Sequence, residues 1–248
     1  MNANASRTCR SLALLAPLLI TLGMTAVAAD DDWIPLIGDH ELDAWRKPTG
    51  AWFVAGDAHP DAQNPKQLSG APGRGVIVDG HGKTRNLYSR QDFGDLEAHL
   101  EFLIPRGSNS GVKLQGLYEV QICDSAASSR KLTGSDCGGV YPRAELLPRY
   151  HHIDDGFAPR VNAARPAGEW QTLDILFRAP RFDEAGKKVA NARFVRVVLY
   201  GKVVQDNLEL PAPTGHAWHL PEVRRGPLML QADHGPVAFR KIRVKPLD

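Results

Sequence analysis

The sequence has little net charge, little cysteine and only one long apolar run, which lies at its start. If residues 1–28 are removed, 28 basic residues stand against 28 acidic ones. A near-neutral chain argues against nucleic acid or an anionic membrane surface as the partner. No later apolar run is long enough to cross a bilayer, and no repeat, low-complexity tract or flexible linker divides the chain. We therefore expect one domain over residues 29–248.

The apolar run at the start has the layout of an export signal. Arg7 and Arg10 precede the apolar stretch 12–27, and the small residues Ala26-Val27-Ala28 form a cleavage site. A membrane anchor is the alternative, but the run is short and broken by proline and glycine. We predict a signal peptide over residues 1–28 and a periplasmic or secreted protein.

Cysteine is scarce, with three residues in the chain. Cys9 lies in the predicted signal and follows no lipobox, so we do not expect a lipoprotein. Cys123 and Cys137 remain after cleavage. An even pair in an oxidising compartment predicts a disulfide, and two buried thiols are the alternative.

Helical periodicity is also missing, and alternation of polar and apolar residues takes its place. In the segment 95–104, for example, Leu96, Ala98, Leu100 and Phe102 alternate with Glu97, His99 and Glu101. Such alternation is typical of an antiparallel sheet with one buried face. The predicted strand segments are 33–38, 75–79, 86–92, 95–104, 112–115, 117–123, 171–178, 192–200, 203–206, 227–233 and 237–245, with loops over 59–75 and 125–166. These predict an all-β, two-sheet antiparallel sandwich or jelly roll, with Trp170 as a core residue.

The most informative stretch is the hairpin formed by segments 112–115 and 117–123, which meet at Gly116. Strand alternation places polar side chains together on one face and apolar side chains on the other. The polar set is Lys113, Gln115, Glu119 and Gln121; the apolar set is Val112, Leu114, Tyr118, Val120 and Ile122. The polar face is either an ordinary solvated surface or a binding site. The small residues 107–111 favour a site, since they let a ligand approach the backbone closely.

Five motifs, in order along the chain, resemble the 3-keto-disaccharide hydrolase family, also described as 3-keto-glucoside 1,2-lyase/3-keto-2-hydroxy-glucal hydratase domains. They are Asn109-Ser-Gly-Val-x-Leu-Gln-Gly-x-Tyr-Glu-Val-Gln-Ile-x-Asp124, Asp136-Cys-Gly-Gly-Val-Tyr141, Gly168-Glu-Trp-Gln171, Phe177-Arg-Ala-Pro-Arg-Phe-Asp183 and Leu230-Gln-Ala-Asp-His-Gly-Pro-Val-Ala-Phe-Arg240. The resemblance implies a concanavalin A-like jelly roll and a secreted carbohydrate-active protein. It also implies a 3-keto-glycoside substrate, oxidised at C3 by an upstream glycoside 3-oxidoreductase. Gln115 stands where many relatives carry Arg, and Cys123 where many carry an aliphatic residue.

The polar face suits the chemistry of such a substrate better than ordinary glycoside hydrolysis. A usual glycosidase needs two carboxylates beside the scissile bond, whereas the hairpin carries one. A C3 ketone acidifies the C2 proton, so that one base and one positive group are enough for elimination. We predict Glu119 as the base or acid and Lys113 as the cationic stabiliser. His234, beside Asp233, is a candidate second acid–base group because its pKa is ordinarily near neutrality.

The remaining candidates are groups that bind sugar hydroxyls or rings. The predicted substrate-binding residues are Asn109, Gln115, Gln121, Asp124, Tyr141, Gln231 and Asp233. Asp124 either binds a metal or caps a turn. A divalent ion is an alternative to Lys113 as stabiliser, so no cofactor is assigned. The His151-His152-x-Asp154-Asp155 run matches no standard metal-ligand spacing.

Two other functions are open at this point. A non-catalytic carbohydrate-binding module would use the same polar groove with tyrosine and tryptophan, but it would not need a base. A structural envelope protein would leave the polar strand face without a purpose.

Overall fold

A computed structural model describes Met1, residues 32–38 and residues 42–248. The predicted signal peptide and Cys9 lie outside the described residues, apart from Met1. Within the described part, no helix is long and apolar enough to cross a membrane.

The described residues form sixteen strands and one 3-10 helix, His216–His219. The strands, in chain order, are β1 (Ile34–Pro35), β2 (Phe53–Pro60), β3 (Leu68–Asp79), β4 (Leu87–Phe93), β5 (Leu96–Leu103), β6 (Asn109–Leu114), β7 (Tyr118–Cys123), β8 (Ala144–Glu145), β9 (His151–His152), β10 (Gln171–Arg178), β11 (Arg181–Phe182), β12 (Lys188–Ala190), β13 (Ala192–Leu199), β14 (Lys202–Leu210), β15 (Gly226–Leu230) and β16 (Val237–Pro246).

In the described residues, two antiparallel sheets build the sandwich, and β8-β9 and β11-β12 form two further short two-stranded sheets. The large sheet has the order β14-β13-β10-β5-β16-β3-β2, with β1 paired to β16, and the small sheet has the order β4-β15-β6-β7. The aromatic ring of Tyr118 in the small sheet lies 5.5 Å from that of Phe177 in the large sheet. The sheets therefore pack face to face around one core, which confirms the predicted all-β sandwich.

The alternating apolar side chains of the predicted strands fill this core. The inward side chains of β5 at positions 96, 98, 100 and 102 are 0–2% exposed, and the five apolar hairpin residues are fully buried. Burying a large apolar side chain contributes about 1.5–3 kcal/mol. The hydrophobic effect thus fixes which face of the hairpin points inward, and its polar face must point away from the core.

The prediction of a loop over residues 59–75 was wrong. His59 and Pro60 end β2, and β3 begins at Leu68, so only the short segment 61–67 connects them. Glycine hides the strand pattern here. A Cβ on Gly73 would lie 2.7 Å from the Cα of Gly56 on the neighbouring strand, so the close strand pairing needs glycine.

The prediction that Trp170 is a core residue was also wrong. Trp170 is half-buried against a second, smaller apolar cluster that includes Val76 and Val78. Its Nε1 donates to Asp57 Oδ1 at 3.0 Å, and the Arg240 guanidinium lies 4.1 Å from its ring centre. The indole thus has a polar partner and a cation as neighbours, which suits the edge of a core rather than its centre.

Candidate functional site

The central hairpin forms as predicted, with one exception at its turn. Lys113 pairs with Glu119 across β6 and β7, and Gly111 pairs with Gln121. Gln115 is not on the polar face, because it lies in the turn with a φ of 57°, next to Gly116 at 69°. Its side-chain Nε2 donates to the Arg224 carbonyl at 3.1 Å, so Gln115 does not line the cleft described below.

A cleft of about 260 Å³ opens over the polar face of the small sheet. Its lining residues come from all four strands of this sheet and from the loops around them. They are Asn86, Tyr88, Asn109, Lys113, Gly116, Glu119, Tyr141, Tyr150, Gly215, His216, Ala217, Leu220, Met229, Gln231, Asp233 and His234. The structure thus brings together both residues predicted to be central to catalysis, His234, and four of the seven predicted binding residues.

The centre of the cleft is an ion pair between Lys113 and Glu119. Lys113 Nζ lies 3.0 Å from Glu119 Oε2, and the two side chains are 8% and 3% exposed. Two charges so far from water are costly unless they are paired and hydrogen-bonded. The pair places one carboxylate and one cation side by side where a ligand would meet them.

The backbone holds Glu119 in position from both sides. Its N–H donates to Thr214 Oγ1 at 3.0 Å, and its carbonyl accepts from the Tyr141 N–H at 3.3 Å. The segment 138–141 runs along the outer edge of β7, where Gly139 and Gly138 exchange hydrogen bonds with the backbone of Gln121. The backbone groups at the β7 edge of the small sheet are therefore paired rather than open to solvent.

Gln121 does not line the cleft but contacts two residues that do, Asn109 and Glu119. One end of its side-chain amide lies 3.0 Å from Asn109 Oδ1 and the other lies 3.2 Å from Glu119 Oε1. An amide in this place fixes the orientation of both neighbours. Asp124 is also outside the cleft, where its Oδ2 accepts from the Gly107 N–H at 2.9 Å and caps that turn.

Gly111 provides the space that the Glu119 carboxylate occupies. A Cβ at position 111 would lie 2.4 Å from Glu119 Oε1 and 3.0 Å from its Cγ. No positive φ constrains this glycine, so its requirement comes from the neighbouring carboxylate alone.

Tyr141 and Tyr150 line the cleft, and the His152 ring contacts both of them. The hydroxyls of Tyr141 and Tyr150 lie 2.8 Å apart, and His152 Nε2 lies 3.1 Å from the Tyr141 hydroxyl. Burial and the hydrogen bond with Tyr150 raise the pKa of Tyr141 well above its ordinary value. Tyr141 is therefore a neutral phenol that can donate a hydrogen bond, and it is unsuited to act as a base.

His234 and Asp233 also line the cleft. His234 Nδ1 lies 2.6 Å from Asp233 Oδ1, an arrangement that orients the imidazole. Gln231 also lines the cleft and is 8% exposed, and its buried Oε1 has no hydrogen-bond partner among the described residues. Buried polar atoms are usually paired, so this oxygen is a natural acceptor for a ligand hydroxyl.

The structure also tests the predicted disulfide between Cys123 and Cys137. Cys123 and Cys137 are free thiols, so the predicted disulfide is not formed. Cys123 Sγ instead donates to the Ser135 carbonyl at 3.2 Å, and Cys137 is buried in the core. Burial raises the pKa of Cys123 to about 11 and that of Cys137 to about 12, so both stay protonated near neutrality.

Among the residues that the structure describes, no group of three or more His, Cys, Asp or Glu could hold a metal ion.

Several cleft residues were not predicted. Met229 pairs with Lys113, and Tyr88 pairs with Met229 on the next strand, because β4, β15 and β6 are neighbours. His216 begins the 3-10 helix that also lines the cleft. The polar–apolar alternation of β4 and β15 would have placed Tyr88 and Met229 on the outer face. Nothing in the sequence pattern indicated that His216 would reach the same cleft.

Comparison with known proteins agrees with this architecture. The sequence model of one family, described as the 3-keto-alpha-glucoside-1,2-lyase-like domain, matches residues 32–245. No curated protein matches the chain.

Solved structures from Parabacteroides distasonis ATCC 8503 resemble the chain. One protein, provisionally described as a glycosyl hydrolase, is 25% identical with a TM-score of 0.63, and the match covers 88% of this chain and 84% of that one. Another with the same description is 20% identical with a TM-score of 0.54, covering 87% of this chain and 99% of the other. The second likeness shows the fold alone.

Proposed function

The chain belongs to the 3-keto-alpha-glucoside-1,2-lyase-like domain family and is a carbohydrate-active enzyme, and from this premise we propose that it cleaves 3-keto-glycosides by elimination followed by hydration. The observation that carries the proposal is the buried pair of Lys113 and Glu119, 3.0 Å apart in the cleft. The hairpin supplies one base and one cation, which is what elimination next to a ketone requires. It does not supply the two carboxylates of an ordinary glycosidase.

In the first step, Glu119 takes the proton from C2 of the sugar. The electron pair of the C2–H bond forms an enolate with the C3 ketone, and the ammonium group of Lys113 stabilises the negative charge on O3. The C1–O bond then breaks, and the leaving group departs after accepting a proton. In this proposal His234, which lines the cleft and contacts Asp233, donates that proton.

In the second step, water adds across the C1–C2 double bond. A hydroxyl group forms the new bond at C1 and a proton returns to C2, so the product is the free 3-keto sugar. Tyr141, a neutral hydrogen-bond donor, and Gln231, with its unpaired Oε1, are suited to hold sugar hydroxyls during both steps. The ketone itself must come from an oxidoreductase that oxidises C3 of the glycoside.

The test is incubation of the protein with a 3-keto-glucoside in deuterated water, followed by NMR. The expected result is release of the aglycone with deuterium at C2 of the 3-keto sugar, faster than in a control without protein. Retention of the C2 proton during cleavage would instead mean direct hydrolysis and would overturn the elimination mechanism. Binding without any cleavage would favour a carbohydrate-binding module, and loss of activity with a chelator would assign the stabilising role to a metal ion rather than Lys113.

Replacement of Gly111 by Ala is expected to reduce kcat about 10- to 100-fold, since a displacement of a catalytic group by about 1 Å can cost that much. The new Cβ would overlap the Glu119 carboxylate, which must move. The clash involves the end of a flexible side chain, so the free energy of unfolding in urea should change by no more than about 1 kcal/mol.

The matched control for Gly111→Ala is Gly38→Ala, because a Cβ at Gly38 meets no atom of the described residues within 4 Å. Wild-type kcat in the Gly111→Ala protein would show that the position of the Glu119 carboxylate is not important for turnover.

A further inference from the structure

A second cavity lies directly beside the cleft and has a different electrostatic character. It has a volume of about 360 Å³ and shares three lining residues with the cleft. Its lining consists of Arg46, Lys47, Pro48, Thr84, Arg85, Asn86, Tyr88 and Asp233, the last three of which are shared. We call it the cationic pocket, since three of its eight lining residues carry a positive charge and one carries a negative charge.

Two of the cations have no charged partner in the part of the chain that the structure describes. Lys47 and Arg85 are exposed, and neither charged group has an ion-pair or hydrogen-bond partner within residues 32–38 and 42–248. Arg46 is different, because its guanidinium pairs with Asp92 at 2.5 Å and donates to the Ser89 carbonyl at 2.9 Å. Lys47 and Arg85 therefore remain available for an anion.

The single carboxylate of the cationic pocket is already engaged. Asp233 Oδ1 lies 2.6 Å from His234 Nδ1, and its Oδ2 lies 3.5 Å from Asn86 Nδ2. It therefore has hydrogen-bond partners of its own and does not pair with Lys47 or Arg85. The lining of the cationic pocket therefore carries more positive than negative charge.

Backbone contacts hold the walls of the cationic pocket in place. Arg46 N–H donates to the Tyr88 carbonyl at 2.8 Å, and Ala51 N–H donates to Thr84 Oγ1 at 2.6 Å. Trp52, whose ring is buried, donates from Nε1 to the Arg85 carbonyl at 2.8 Å. These bonds tie the segment before β2 to the segment before β4, so the two cations extend from fixed backbone.

The sheet register sets the distance from the reactive centre to the cationic pocket. Glu119 pairs with Lys113, Lys113 with Met229, and Met229 with Tyr88, so these four residues form a row across the small sheet. Neighbouring strands are about 4.8 Å apart, so the row is about 14 Å long. This exceeds the width of one pyranose ring. A sugar reacting at Glu119 would therefore reach the cationic pocket through the group attached to it.

We propose that the cationic pocket binds an anionic oxygen group, such as a carboxylate, carried by the leaving group of the glycoside. This inference rests on the proposed function for the identity of the reacting sugar. Lys47 and Arg85 supply charge-assisted hydrogen bonds to the anion. The Tyr88 ring, 37% exposed between the two cavities, provides an aromatic surface against which the intervening unit packs.

The kinetic test compares two 3-keto-glucosides that differ in one charge, with 4-carboxyphenyl and 4-carbamoylphenyl leaving groups. In the variant Lys47→Met/Arg85→Met, the ratio of KM for the anionic substrate to KM for the neutral one is expected to rise about tenfold. Both substrates are measured with both proteins, so the intrinsic reactivity of the leaving groups cancels. The variant Lys66→Met/Arg178→Met is the control, because it removes the same charge from exposed residues outside both cavities. An unchanged ratio in the pocket variant, or an equal change in the control, would overturn the proposal.

A binding experiment separates this inference from the proposed reaction. Calorimetry with unoxidised 4-carboxyphenyl and 4-carbamoylphenyl glucosides needs no turnover. Wild-type protein is expected to bind the anionic glucoside about tenfold more tightly, and the pocket variant should lose that preference. This result would support the cationic pocket even if no 3-keto-glucoside were cleaved. Equal affinities for the two glucosides would contradict it, as would binding of free benzoate as tight as that of the carboxyphenyl glucoside.

Discussion

Replacement of Glu119 by Gln is expected to lower kcat for a 3-keto-glucoside by about 10³-fold, within the range that a positioned general base contributes. Gln has nearly the same shape as Glu but cannot accept the C2 proton. Its amide oxygen still accepts a hydrogen bond from the Lys113 ammonium group, which lies 3.0 Å from the carboxylate in the native protein. Stopped assays of aglycone release, together with exchange of the C2 proton in deuterated water, measure the effect.

The control for this variant is Glu184→Gln, because Glu184 is exposed and lies outside the cleft. It should retain wild-type kcat. Circular dichroism of the Glu119→Gln protein shows whether the sandwich is intact, and affinity for an unreactive glucoside should change little. Wild-type turnover in a folded Glu119→Gln protein would remove Glu119 from the mechanism.

The alternation of polar and apolar residues predicted the strands because burial of apolar side chains determines which face of each strand points into the core. In β5 and in the central hairpin every second side chain enters the core, and a shift of one residue would expose the whole apolar set. The same reasoning failed between His59 and Gly75. There, glycine has no side chain and proline is unusual within strands, so no polar–apolar alternation is visible, and strand pairing depends on the close approach of Gly56 and Gly73.

The candidate site was partly predictable for a related reason. Lys113 and Glu119 are cross-strand partners within one hairpin, so their proximity follows from local sequence. Gln115 was misplaced because the hairpin turn begins one residue earlier than the alternation indicated. An extended backbone at position 115 would have kept the Gln115 side chain on the polar face, whereas its φ of 57° turns that side chain away.

The rest of the site depends on contacts between distant parts of the chain. Tyr88 reaches the cleft through the strand order β4-β15-β6, and His216 reaches it through a loop whose Thr214 bonds to the backbone of β7. Sequence separations of this size leave no local pattern. The role of Gly111 is equally hidden, because it depends on where the Glu119 carboxylate lies in space.

Replacement of Lys113 by Met should lower kcat by about 10²- to 10³-fold, the usual cost of removing a group that stabilises a developing oxyanion. Met keeps much of the length and volume of the lysine chain but has no charge to place near O3. The variant should also be less stable by about 3–5 kcal/mol, because breaking a buried ion pair leaves the partner charge uncompensated. Urea unfolding and steady-state kinetics at saturating substrate measure the two effects separately.

The double variant Lys113→Met/Glu119→Gln tests the structural role of Lys113, and Lys113→Arg tests its catalytic role. Removing both charges together leaves no unpaired ion in the cleft, so most of the lost unfolding free energy should return. Activity should not return, since the base and the stabilising cation are both missing. If Lys113 acted only by holding Glu119 in place, Lys113→Arg, which keeps a cation beside Glu119, should restore kcat fully. If the ammonium group stabilises the enolate, Lys113→Arg should recover stability more completely than kcat, because the larger guanidinium cannot occupy the same point next to O3.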